Sequence, residues 1–151
     1  MSFPASPAMA RALELARAAA GMGEVPVGAV ITAADGTLLA EAHNRTRTDA
    51  DPTAHAEMLA IRAAGQALGS ERLVGCTLWV TLEPCAMCAG AIAHARLARL
   101  VYAAADPKGG GVEHGARVFA HATCHHRPDI IAGIAESEAA DLLRAFFGSR
   151  R

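Results

Sequence analysis

Apolar residues recur at helical spacing near the start of the chain, at Met9, Ala12, Leu13 and Ala16, which predicts a helix with one buried face. Ser6 followed by Pro7 opens it as N-cap and first-turn proline, and Gly21 stops it. The pattern then changes. "VPVGAVITA" reads as a strand, Asp35-Gly36 as a hairpin turn, and "TLLAEAHN" as the returning strand. The polar loop "RTRTDADPT" leads to a second helix, with Asp51 or Thr53 as its expected cap. It runs to about Gly69, with Met58, Leu59 and Ile61 among its apolar residues.

"CTLWVT" is a short β-rich run that predicts a buried central strand. Pro84 precedes a third helix carrying Cys85, Cys88 and Ile92. "ARLVYAA" is the next strand and "DPKGGG" a loop whose glycines offer backbone freedom. A weakly patterned segment around "GARVFAHA" precedes "DIIAGI", the expected last strand, and "ESEAADLLRAFFGSRR" closes as an amphipathic helix. Strands alternating with helices, without an internal repeat or linker, predict one α/β domain over residues 1–151, with a hairpin at one side of its sheet.

Composition narrows the class. The chain of 151 residues is 52% hydrophobic and 19% charged, which fits a globular protein and not a disordered one. Arg11, Glu14 and Arg17 interrupt the N-terminal apolar stretch, so it is not expected to act as a signal peptide. No run is long and apolar enough to span a bilayer, and a cytoplasmic location with no membrane partner is the expectation. A net charge of −1 does not announce a nucleic-acid binder, although a local basic patch would suffice for one.

Without a secretory signal, the four cysteines point to metal or catalytic roles rather than to disulfides. Cys85 and Cys88 are three apart at a predicted helix start, so they share a face and the helix N-terminus favours their thiolates. With His55 they make a set of two thiolates and one imidazole that suits tetrahedral zinc with a fourth position open to water. Glu57, two residues after His55, can stand beside such a metal without binding it, take a proton from water and pass it to a substrate nitrogen. That chemistry fits hydrolytic loss of an amino group from a ring carbon. Taken singly, Cys-x-x-Cys is also a redox pair or half of a structural zinc site, and His-x-Glu is common by chance. "TCHHRPD" places Cys124, His125 and His126 together, but neighbouring residues rarely face one centre, so a surface loop is favoured over a second metal. Cys76 is expected in the core.

The pairing of "HAE" with "PCAMC" resembles the zinc nucleobase deaminase signature. Beyond it, "EVPVGAV", "HNRT", "DPTAHAE", "LWVTLEPCAMCAGAI", "DPKGG", "CHHRPD" and "LLRAFF" make the chain from about Glu24 to Arg151 similar to the bacterial tRNA adenosine deaminases. The resemblance implies a three-layer α/β/α cytidine-deaminase-like fold with a five-stranded mixed sheet, one zinc ion per subunit, and a homodimer. It implies deamination of the wobble adenosine in a tRNA anticodon loop to inosine, with an arginine tRNA as the usual partner. By position it assigns His55, Cys85 and Cys88 to the metal, Glu57 to the proton shuttle, and Asn44, Pro26, Val27, Ala56, Asp106, Lys108 and Phe147 to substrate.

Read without the resemblance, Asn44 and Asp106 are ordinary turn residues, and Phe146 and Phe147 are the core and edge of an amphipathic helix. Arg150 and Arg151 suit either a phosphate contact or a frayed tail. A deaminase of free guanine, cytosine or a nucleoside would share the same metal motifs. A non-catalytic zinc-binding RNA module is the alternative from another class.

Overall fold

The computed structural model describes residues 5–149. Helix α1 (Pro7–Gly21) begins where expected, with Ser6 Oγ accepting a hydrogen bond from Met9 N–H at 3.3 Å. Strands β1 (Gly28–Thr32) and β2 (Leu38–His43) form the hairpin, α2 (Ala56–Leu68) follows, and β3 (Thr77–Leu82) leads into α3 (Ala86–Ala95). Then come β4 (Arg99–Ala104), one 3-10 turn at Val118–Ala120, β5 (Asp129–Ala132) and α4 (Glu136–Gly148).

The sheet order is β2-β1-β3-β4-β5. β1 runs antiparallel to β2 and β3, while β3, β4 and β5 are parallel. The mixed five-stranded sheet and its helical layers match the expected three-layer fold, with "CTLWVT" at the centre and the hairpin at one side.

Alternation along the inner strands divides the core in two. Ala29, Ile31, Leu78, Val80, Leu100 and Tyr102 face the layer that holds α2 and α3. Val30, Val101 and Ala103 face the layer of α1 and α4, where they meet Met9, Ala12, Leu13 and Ala139. α1 lies close against β1 because both surfaces are small: a Cβ at Gly28 would come within 1.9 Å of the Ala12 carbonyl oxygen. At the far side, all four residues of β5 are exposed, as suits an edge strand.

One local expectation is met and one changes. The hairpin turn around Asp35-Gly36 spans Ala33 to Thr37, with Gly36 at φ 90° and Asp35 Oδ1 accepting from Thr37 N–H at 3.0 Å. The cap of α2 is His55 rather than Asp51 or Thr53. Asp51 Oδ1 is engaged earlier, accepting from Thr53 N–H and Oγ1–H at 2.8 Å each, which closes a turn before the helix starts.

Candidate active site

The N-termini of α2 and α3 converge at one end of the sheet. His55 is the N-cap of α2 and Cys85 the N-cap of α3, and neither side chain makes a capping hydrogen bond. Positions usually given to Ser, Thr, Asp or Asn are held here by residues whose side chains are able to ligate a metal. His55 Nδ1 lies 3.6 Å from Cys85 Sγ and 3.5 Å from Cys88 Sγ. Nitrogen and sulfur bound to one zinc at about 2.0 and 2.3 Å, at a tetrahedral angle, lie about 3.5 Å apart. The donor set and its spacing therefore fit zinc, and among the described residues this is the one His/Cys/Asp/Glu cluster with that capacity. Cys124, His125 and His126 do not gather. Cys124 Sγ contacts His126 O at 3.1 Å, and His126 Nε2 bonds Leu97 O at 2.6 Å.

Hydrogen bonds from Cys88 and His55 pull the Cys85 pKa down to about 4, whereas the Cys85 thiolate and burial push Cys88 up. The hydrogen bond to Cys85 raises the pKa of His55. Divalent metal binding to such thiols releases protons, so a low thiol pKa favours it.

Glu57 sits in the first turn of α2 and is 4% exposed. Burial raises its pKa to about 7, against a backbone hydrogen bond and the charge of His55. A carboxyl poised near neutral pH can accept and return a proton during one turnover.

The cluster opens into a cavity of about 340 Å³ lined by Val27, Asn44, Thr46, His55, Glu57 and Asp106, with Val25, Leu82, Glu83, Cys85 and Gly109 completing it. That is the size range of small-molecule sites. Asn44 is 7% exposed, and among the described residues its side-chain amide has no hydrogen-bond partner. Asp106 Oδ1 accepts from the N–H groups of Lys108 and Gly109, at 3.2 and 2.9 Å. Of the other substrate candidates, Pro26 and Ala56 are buried outside the lining, Lys108 is exposed on the loop, and Phe147 is 55% exposed on α4. Its neighbour Phe146 is buried and meets it edge to face at 5.3 Å. Arg150 and Arg151 lie outside the described residues.

Two buried carboxylates escaped the sequence reading. Glu24 is 0% exposed and accepts from Thr48 N–H at 2.6 Å, Thr48 Oγ1–H at 2.7 Å, Arg47 N–H at 3.2 Å and Thr46 Oγ1–H at 3.5 Å. Glu83 gathers a second set of donors from the loop after β4. Burial would raise its pKa, but hydrogen bonds led by Asp106 N–H and His114 more than offset that and lower it. The one sequence signal for Glu83 is a charged residue closing a buried strand directly before Pro84. The glycines of "DPKGGG" also have a different role from the one expected. Gly110 and Gly111 lack positive φ, and what they provide is close approach: a Cβ would lie 2.5 Å from Glu83 Oε2 or 2.6 Å from Ala86 N respectively.

Comparison with known proteins gives a consistent picture. The MafB19-like deaminase family matches residues 5–149. The chain is 56% identical to the tRNA-specific adenosine deaminase of Agrobacterium fabrum over 95% of its own length and 93% of that protein. A solved structure from work on A-to-I editing by tRNA:A34 deaminases superposes with TM-score 0.88 at 56% identity, covering 90% of this chain and 98% of that one. A guanine deaminase from Nitrosomonas europaea shares the fold at TM-score 0.81 and 26% identity, over 95% of this chain and 86% of that one.

Proposed function

Since the chain belongs to the MafB19-like deaminase family, with a tRNA-specific adenosine deaminase 56% identical to it, we propose that it is a tRNA adenosine deaminase. It hydrolyses the C6 amino group of the wobble adenosine in an anticodon, leaving inosine and releasing ammonia. The 151 residues act as one deaminase domain. The observation that carries the reading is the cavity lined by His55 and Cys85 of the His55, Cys85 and Cys88 cluster, by the buried Glu57 and by Asn44, whose amide is unpartnered.

His55, Cys85 and Cys88 hold one zinc ion per subunit, which when bound supplies a Lewis acid able to lower the pKa of water from about 16 to about 7. Glu57 takes a proton from the attacking water and gives it to a ring nitrogen of the base, then takes the second proton from the hydroxyl left on C6 and passes it to the departing amine as the C–N bond breaks. Asn44 reads the edge of adenine, an amide being able to pair with it bidentately. Val27 forms part of the floor around the base, and Pro26 and Ala56 support it from behind the lining. Asp106 and Lys108 stand where the sugar and phosphate enter, and Phe147 offers an exposed ring to a neighbouring nucleotide.

A base reaches such a cavity only when splayed from its stack, which an unpaired anticodon loop permits at low cost. An arginine tRNA as substrate, a homodimer and a cytoplasmic location complete the reading, and the resemblance supports them. No helix among the described residues is long and apolar enough to cross a membrane.

Incubation with total tRNA, followed by sequencing for A-to-I changes, tests the reading. An inosine at a wobble position is expected. Release of ammonia from free guanine, cytosine or a nucleoside, with tRNA left unchanged, would replace it with the free-base alternative.

A further inference from the structure

Glu83 lies between β3 and α3, is 2% exposed, and has no part in the chemistry above. Its Oε1 accepts from Asp106 N–H at 3.0 Å and meets His114 Nδ1 at 2.7 Å. Its Oε2 accepts from the N–H groups of Val112, Glu113 and His114 at 3.2, 3.0 and 3.1 Å. One carboxylate thus binds both ends of the Asp106–His114 loop. The same loop is tied to the start of α3 by Gly111 N–H donating to Pro84 O at 2.8 Å. Asp106 and Gly109 of this loop line the cavity beside Glu83 itself.

Every group facing Glu83 is a donor or, at His114, able to be one. A carboxylate only accepts, so it suits all of them at once, whereas an amide of the same shape turns an NH₂ group toward some. Gly110 leaves no slack, because a Cβ there would stand 2.5 Å from Glu83 Oε2 and 2.6 Å from Asp106 O.

We infer that Glu83 is a positioning residue for substrate: it holds the Asp106–His114 loop as a wall of the cavity and so governs binding of the target nucleotide rather than the proton transfers. This rests on the tRNA deaminase reading. It separates wall placement from metal binding, although Glu83 is only two residues from Cys85.

The test compares wild type with Glu83→Gln on a synthetic anticodon stem-loop, measuring kcat, KM and zinc per chain. The expected result for Glu83→Gln is one zinc per chain, kcat within about threefold of wild type, and KM raised about tenfold or more, the pattern of lost uniform binding. Gly110→Ala moves the same wall while leaving Glu83 intact. It is expected to raise KM alike, and it decides the matter should Glu83→Gln fail to fold. Unchanged KM in these variants, loss of zinc, or a fall in kcat without a rise in KM overturns the inference. A wild-type protein that makes no inosine overturns the functional reading itself, whereas an active wild type with unaltered variants overturns only the role given to Glu83.

Discussion

His55 Nδ1 and Cys85 Sγ stand 3.6 Å apart, yet each caps the N-terminus of a different helix. The His55, Cys85 and Cys88 cluster therefore forms only where α2 and α3 pack together. The buried Glu57 follows from the same arrangement, because the first turn that follows His55 carries it inward.

Glu57→Gln should keep zinc, fold and RNA binding but lower inosine formation by roughly 10²–10⁴-fold, the usual worth of a general acid–base. Single-turnover assays with metal analysis check this. Turnover near the wild-type rate would remove Glu57 from the proton path. Retained RNA binding in a wild-type protein without turnover would favour the non-catalytic binding module.

Phe146 and Phe147 are neighbours in sequence with opposite expectations. Phe146→Ala opens the core and should cost about 3–5 kcal/mol of stability. Phe147→Ala removes an exposed ring and should leave the denaturation midpoint nearly unchanged. Its effect should appear in stem-loop affinity, weaker by about 1–3 kcal/mol if a base stacks there. Urea melts and a binding titration of the same two variants separate the roles.

Glu24 makes stability depend on acid. Burial alone would raise its pKa, but hydrogen bonds from Thr48, Arg47 and Thr46 prevail and hold it below the ordinary 4.5. A carboxyl depressed in the folded state contributes stability that is present above its unfolded pKa and lost as pH falls through the folded one. Wild type should therefore weaken below pH about 4.5. Glu24→Gln should be about 1–3 kcal/mol less stable at neutral pH, with unsatisfied donors in the loop, and should show a shallower loss in acid. Denaturant melts from about pH 7 to about pH 3 measure both slopes.

Gly28→Ala should destabilise the fold by about 3 kcal/mol or more, because the added Cβ meets backbone atoms of α1 rather than a movable side chain. Zinc content in the fraction that remains folded should be unchanged. A chemical denaturation curve with an unshifted midpoint would show that α1 can move away from β1.

The metal motif was legible because its chemistry is local: His55 with Glu57, and Cys85 with Cys88, each lie within one helical turn. The layered fold was legible for a similar reason, since β1, β3 and β4 are buried on both faces and read as apolar runs. The cap of α2 was misplaced because Asp51 and Thr53 satisfy each other before the helix begins. The roles of Glu24 and Glu83 were not legible, although a charge closing a buried strand before Pro84 marks the position of Glu83. Their donors lie 22 to 31 residues away along the chain, and no periodicity marks a charge that is buried by distant backbone.

The sheet also acts as a partition. His55, Cys85, Cys88 and Glu57 belong to the α2 and α3 side, while α1 packs its alanines against the opposite face of β1. The back of the molecule can thus be re-engineered for durability, through α1 and its contacts with α4, without redrawing the candidate site. Heat resistance and choice of base are then separate design problems in one small chain.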